Sequence, residues 1–447
     1  MSESAAPQMK RDLGLLAVMS LVVGSVIGSG IFMKPGKVIE AAGSSNMALL
    51  AWVLGGIITM ASGLVFAEIG AQIPKTGGVF VYLEEIYGSV WGYLCGWTQT
   101  ALYGPAVMAA LGLYFGEVFA DFFGLPLALM PLVAAGAICL LAIVNCLGVK
   151  YGGYIQTCTT FVKLIPIILI AVFGLAWGKS SILDTPGLGT HHLGMGAAML
   201  ACLWAYDGWI LVGYVAGEMK DPAKTLPRAI IMGLGIVICV YLLVNMAILH
   251  VLPASGIVRL GPIAAETVST KLFGDFGGKL LTVGILVSIF GTLNAKILAF
   301  PRIPYAMSVR GQLPASRYWS RLHPNWGTPI YATGLLVAIA LILLTVGDPD
   351  RLTNIALFLM YVFYLQTLCG VFVLRRRASG AARPYSVPGY PFVPLVAILG
   401  VTFVLVATLV DEPRDVLYAL GVAAAGLPVR WALKHVQQRS SGDPPCA

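Results

Sequence analysis

Charge is what this 447-residue sequence has least of: 11% of its residues are Asp, Glu, Lys or Arg, against about 25% in ordinary soluble domains. With 58% hydrophobic residues and a mean hydropathy of +0.86, a water-surrounded globule is excluded. Histidine is sparse too. His191, His192, His250, His323 and His435 all fall in connections or at the ends of apolar runs, so no metal site or nucleophile–base set emerges from them. Seven of the eight cysteines lie inside apolar runs and Cys446 lies in the polar tail; none stands at a disulfide or metal spacing. Met1 to Arg11 is short and polar with no cleavage site after an apolar region, so the first apolar run is expected to stay as a membrane span. These absences leave a polytopic membrane protein, with an enzyme disfavoured and no metal or other cofactor expected.

What is present is a series of apolar runs, each near the ~20 residues that cross a hydrocarbon core of about 30 Å. An all-α fold of about twelve spans is expected, near residues 13–38, 46–72, 89–120, 127–148, 155–177, 194–217, 229–252, 278–303, 328–347, 352–374, 391–410 and 414–433. An even number puts both termini, residues 1–12 and 434–447, on one side. On that side the connections and span ends carry eighteen basic residues against eight on the other, with Lys163 and Lys296 inside spans. The positive-inside rule then places both termini in the cytoplasm. The formal charge of +8 is thereby explained by topology, and nucleic acid is not expected as a partner. Among the connections, residues 73–78 lead into an amphipathic helix over 79–88 with Glu84 and Glu85. Asp221-Pro222 and Leu226-Pro227 punctuate a second inner loop, and the outer connection 253–278 contains a helix over 262–273.

The first span contains helix breakers that a simple anchor would avoid: Gly24, Gly28 and Gly30 within Ser20 to Met33. Each glycine in a helix interior costs roughly 1 kcal/mol relative to alanine, and in lipid every freed backbone group must find another partner. A break around Ile27 to Gly30 would aim N–H groups of the second half-helix at an anion, and carbonyls of the first half at a cation. A free amino acid carries both charges on one carbon. Close helix packing through small residues is the other reading of the glycines. The sixth span supplies a second candidate break, because its centre reads Trp204-Ala205-Tyr206-Asp207-Gly208-Trp209. A charge at the bilayer centre costs roughly 2.5 to 3.5 kcal/mol, so Asp207 must face protein or water, and Gly208 is a natural place to interrupt the helix. These two spans begin two five-span halves, 13–177 and 194–374, followed by two further spans over 391–433. Interrupted helices at matching positions of two halves point to a transporter site at the repeat interface.

Lys163 sits in the middle of the fifth span, where its amine either takes a cation's place among carbonyls or sheds and regains a proton. Lys296 either lines the permeation path or sends its stem to the inner interface. Glu68 is expected to pair with a loop or helix end, and Trp91, Trp97, Tyr103 and Tyr114 read as belt or packing residues.

Several stretches together resemble the L-amino acid transporter branch of the amino acid-polyamine-organocation superfamily: Gly24 to Phe32, Pro74-Lys-Thr-Gly-Gly78, Trp204 to Trp209 with Gly217-Glu-Met-Lys-Asp-Pro222, and Phe300-Pro-Arg302. The likeness covers essentially the whole chain. Lys150-Tyr-Gly-Gly153, Gly291 with Leu293-Asn294, and Pro384 to Pro388 bring it nearest to the bacterial serine/threonine-exchanging members. The resemblance implies a leucine-transporter-like five-plus-five inverted repeat with two added helices, sodium independence, and exchange of one amino acid for another. It also implies a site over Val26, Ile27, Gly28, Ser29, Gly30, Trp204, Ala205, Tyr206, Asp207 and Gly208. There the N–H groups of Ser29 and Gly30 would hold the substrate carboxylate, and the carbonyls of Val26, Trp204 and Asp207 its ammonium. Trp204 falls at the family's aromatic gate, and Lys163 at the fifth-span lysine that occupies the region used for sodium in related carriers. Two departures stand out. Residues 121–128 lack the cysteine with which eukaryotic members attach a single-span partner, so no disulfide-linked subunit is implied. Asp207 replaces a glycine of the broad-pocket members, which favours small polar substrates unless the carboxylate faces away.

The expectation is an inner-membrane exchanger of small neutral L-amino acids, serine and threonine foremost. A proton-coupled neutral amino acid symporter and a carrier of cationic amino acids or polyamines are the competing transport readings. A receptor that binds without moving its ligand is the competing class.

Overall fold

The computed structural model describes residues 13–75, 77–183, 194–346, 348–377, 383–411 and 413–441. The expected tail 1–12, Thr76, His191, His192 and Cys446 lie outside the described residues. Among the described residues, eleven helices are long and apolar enough to cross a membrane, and a shorter apolar helix, Ile330–Leu343, stands where the ninth run was expected. The eleven are Leu15–Met33, Ser45–Gln72, Ser89–Phe123, Leu127–Cys146, Val149–Trp177, Met195–Glu218, Pro222–Val251, Ala264–Val309, Arg351–Arg377, Phe392–Val410 and Pro413–Leu433. The chain is thus an all-α polytopic membrane protein. Helices are the form in which a lipid-embedded chain satisfies its own N–H and C=O groups.

Burial sorts these spans into an inside and an outside. The most apolar stretches of the first and eighth spans are 78% and 83% buried, against 28% and 17% in the eleventh and twelfth. Each interior span is wrapped by others: the first packs on the fifth, seventh and eighth, and the third on the fourth, eighth and tenth.

Two boundaries differ from those read in the sequence. The seventh span begins at Pro222, so Asp221-Pro222 and Leu226-Pro227 do not punctuate a loop. Pro222 occupies the first turn, where the missing N–H has no partner to lose, and Pro227 forfeits one bond near the helix start. The eighth element starts at Ala264 and bends at Gly274, whose φ of 72° is non-helical, so the expected outer helix runs directly into the span. The third span carries a π-helical segment, Gln99–Tyr103, closed by the Gly104 N–H on the Gln99 carbonyl. Pro105 follows, and its lack of an N–H removes one of the α-type bonds that would compete with this wider turn.

The helix expected near 79–88 is present as Val79–Tyr87, but it is wedged into the bundle, with Val79, Phe80, Val81, Leu83 and Ile86 buried. Its Glu84 bridges Arg310 at 3.0 Å and Gln312 at 2.7 Å, while Glu85 pairs with Lys75.

At the same end of the bundle Glu68 is fully buried. Arg375 donates to both of its oxygens, at 2.8 and 2.6 Å, and the Val387 N–H donates at 2.7 Å. Arg375 also reaches Ser386 at 3.0 Å and lies 3.9 Å over the Tyr390 ring. One carboxylate therefore ties the second span, the tenth span and the segment leading to the eleventh. Removing one member of such a pair leaves the other charge uncompensated. Glu68→Ala should lower stability by roughly 3 kcal/mol, read as a drop in melting temperature of the detergent-purified protein. Adding Arg375→Ala should cost less than the sum of the two single changes.

Candidate substrate site

The first span is interrupted where the glycines suggested. Its first helix ends at Val26, Ile27 is extended with ψ of 94°, and helical geometry resumes at Gly30. The sixth span is interrupted in turn: the helix Met195–Ala205 stops, Gly208 takes a φ of 119°, and a tighter 3-10 stretch, Trp209–Glu218, follows.

The two breaks lie against each other. A Cβ on Gly30 would come within 2.8 Å of the Ala205 Cα and 3.1 Å of the Trp204 ring, so only glycine permits this approach. The Tyr241 hydroxyl lies 3.0 Å from both the Val26 and the Ala205 carbonyl oxygens. Ser25 donates to the Gly208 carbonyl at 3.0 Å. These contacts bind the first and sixth spans into one unit, with Tyr241 of the seventh span bridging them. The glycines of this stretch thus serve both readings, since close packing and a backbone break coincide.

The carbonyls released by the first break are met from behind by Lys163, which is fully buried. Its ammonium donates to the Gly24 and Ile27 carbonyls at 2.7 and 2.5 Å, with Thr292 Oγ1 at 3.3 Å and the Ser288 carbonyl at 3.5 Å. The hydroxyls of Ser288 and Thr292 add contacts to Ile27 at 3.2 and 3.1 Å. A cation inside a shell of oxygens is the arrangement a bound monovalent metal ion would adopt, here filled by a side chain.

In front of the breaks is a cavity lined by Ser25, Val26, Gly28, Ser29, Gly30, Trp204, Ala205, Asp207, Thr292 and Lys296, with Val107, Leu111, Thr353 and Leu357 completing its wall. The start of the second half-helix leaves the N–H groups of Ser29 and Gly30 without acceptors one turn back, and the Ser29 hydroxyl is buried with no partner among the described residues. The Trp204 carbonyl accepts the Asp207 N–H at 3.1 Å. The Trp204 ring carries the Lys34 ammonium 4.6 Å above it and meets the edge of Tyr114 at 6.1 Å.

Not every residue read from the sequence lines this cavity. Ile27 turns its carbonyl to Lys163, and Gly208 gives its carbonyl to Ser25. Tyr206 points away, its hydroxyl 3.2 Å from the Trp52 carbonyl and its ring against Trp52 and Tyr241. Lys296 does line it, and pairs with Asp207 at 3.5 Å with both side chains almost wholly buried.

Tyr103, read as a belt or packing residue, stands at the site instead, whereas Tyr114 packs edge-on against Trp204 as a packing residue does. Tyr103 donates to Asp207 Oδ2 at 3.0 Å, and Tyr364 lies 3.5 Å from Oδ1. The π segment turns Tyr103 inward, a feature without a spacing signal in the sequence. Beyond this cluster, Glu218 and Arg302 form a buried pair at 2.8 Å, so two of the stretches that carried the resemblance meet directly.

A family model described as amino acid permease matches residues 13–423. The serine/threonine exchanger SteT of Bacillus subtilis (strain 168) is 50% identical over 426 residues, covering 95% of this chain and 97% of that protein. The large neutral amino acids transporter small subunit 2 of Mus musculus is 31% identical over 438 residues, covering 94% of this chain and 80% of that protein. The human cystine/glutamate transporter is 29% identical over 433 residues, covering 95% and 85%. With matches running across nearly all its spans, the chain belongs to the amino acid permease family of the amino acid-polyamine-organocation superfamily, a multi-pass membrane transporter of amino acids and not an enzyme.

Proposed function

We propose that the chain is a sodium-independent exchanger of small neutral L-amino acids, serine and threonine foremost, working by alternating access in the inner membrane with both termini cytoplasmic. The observation that carries this reading is the pair of opposed helix breaks with a lysine ammonium among the released carbonyls. The N–H groups of Ser29 and Gly30 suit a carboxylate, since a helix start presents partial positive charge. The carbonyls of Val26, Trp204 and Asp207 suit an ammonium. With backbone dipoles facing both substrate charges, a zwitterion needs no co-bound ion, and Lys163 stands where such an ion would sit. Trp204 closes over the ligand. The chain's likeness to a serine/threonine exchanger and the polar Asp207–Lys296 wall support small hydroxylated substrates. The same wall opposes cationic cargo, because Lys296 already answers the carboxylate. We assign the two five-span halves to 13–177 and 194–374, related as an inverted repeat, with 391–433 added. No disulfide-linked subunit forms part of this proposal, since 121–128 lacks cysteine.

A proton-coupled symport is the second reading, and the complete burial of Lys163 is what favours it. Labelled serine uptake into sodium-free liposomes at matched pH separates the two. Exchange predicts accumulation only in vesicles preloaded with unlabelled serine, whereas uphill uptake driven by a pH jump alone would establish the symporter. Gly30→Leu should abolish uptake while the protein still reaches the membrane and purifies as a single species; normal uptake would remove the proposed site. Lys163→Ala should cut transport about tenfold or more, the scale of a buried hydrogen-bonded charge, with serine binding partly retained. Wild-type turnover in that variant would end the role given to the lysine.

A further inference from the structure

Asp207 is the one carboxylate among the residues that line the cavity, and its partners come from three other spans. Tyr103 belongs to the third span, Lys296 to the eighth and Tyr364 to the tenth. Asp207 itself belongs to the unit formed by the first and sixth spans, which Ser25 and Tyr241 hold together. Among the described residues, every polar contact of this side chain therefore crosses from that unit to the helices around it.

We propose that the Asp207 cluster is the bolt that immobilises the empty carrier, so that Tyr103 and Tyr364 act as positioning residues for obligatory exchange. The inference rests on the exchange reading. If the first–sixth unit moves against its surroundings during alternating access, the motion must part Asp207 from Lys296, both almost wholly buried. Parting buried opposite charges with nothing to replace either is strongly unfavourable. A bound hydroxy amino acid changes that balance, because a hydroxyl both donates and accepts. It offers Asp207 a donor and Lys296 an acceptor as the pair opens. The Asp207–Lys296 separation of 3.5 Å is longer than a tight charge-assisted hydrogen bond, which leaves the pair open to such an insertion. Tyr103, at 3.0 Å and fully buried, aims the carboxylate at this position and adds a second bond that the moving unit must break. Its ring is fixed in turn by the edge of Phe300 at 5.3 Å.

The test compares labelled serine uptake into empty and serine-loaded liposomes for the wild type, Tyr103→Phe and Asp207→Asn, each at equal reconstituted amounts. Wild type should fill loaded vesicles alone; equal filling of both would refute the exchange reading itself, before any variant is considered. Given wild-type exchange, both variants should raise the empty-to-loaded ratio by roughly tenfold, the factor one hydrogen bond to a charged group carries. A gain of net flux is a change that mere loss of stability does not produce. If empty and loaded uptake fall in the same proportion in both variants, the bolt is overturned and the cluster is only structural. Should Tyr103→Phe fail to purify as a single species, Tyr364→Phe takes its place, with the same rise expected and the same proportional fall overturning the proposal.

Discussion

A backbone carbonyl released in the middle of a membrane must be answered, because lipid offers it nothing. The interruption at Ile27 frees carbonyls in the buried interior, and the contact between the Lys163 ammonium and the Gly24 and Ile27 oxygens is what makes that interruption tolerable. The rest of the centre depends on it. With these carbonyls held from behind, the chain can turn at Gly28 and Ser29, and the second half-helix can begin with its N–H groups facing the cavity. The sixth span then comes close enough for Ala205 to touch Gly30.

Besides Lys34 over the Trp204 ring, the buried charges described above are of two kinds. Lys163 is satisfied by neutral oxygens and stays inside one packed face of the first, fifth and eighth spans. Asp207–Lys296, Glu218–Arg302 and Glu68–Arg375 are opposite-charge pairs, and each joins elements far apart in sequence. Pairs of this kind add little net stability relative to apolar packing, yet they penalise any arrangement that separates them. They define which helix positions are permitted more than they hold the helices together.

The spans were legible because lipid imposes a length and a composition on each of them. The two breaks were legible because glycine in one apolar run and aspartate in another are too costly to be incidental. Glu68 was readable for the same reason, as a charge that had to find a helix end or loop. What the sequence concealed were the residues that answer released backbone: Tyr241, Ser288 and Thr292. Hydroxyls are at home in membrane helices, and a partner that is a carbonyl has no side-chain identity to match. Tyr103 was hidden differently. An aromatic residue in a long span reads as packing, and its inward turn comes from a local π segment that the helical period does not encode. The start of the seventh span was misplaced because prolines usually mark a boundary from outside, whereas Pro222 and Pro227 sit within the first turns.

The ammonium behind the first break is covalently part of the fifth span. A dissolved ion at such a position would come and go with the composition of the medium, and its departure would be a thermodynamic event able to drive another. A tethered one has no dilution to respond to and no gradient of its own. The shell of oxygens around Lys163 is filled by a side chain in this structure, and on the exchange reading proposed above it offers a metal-ion gradient no place through which to act.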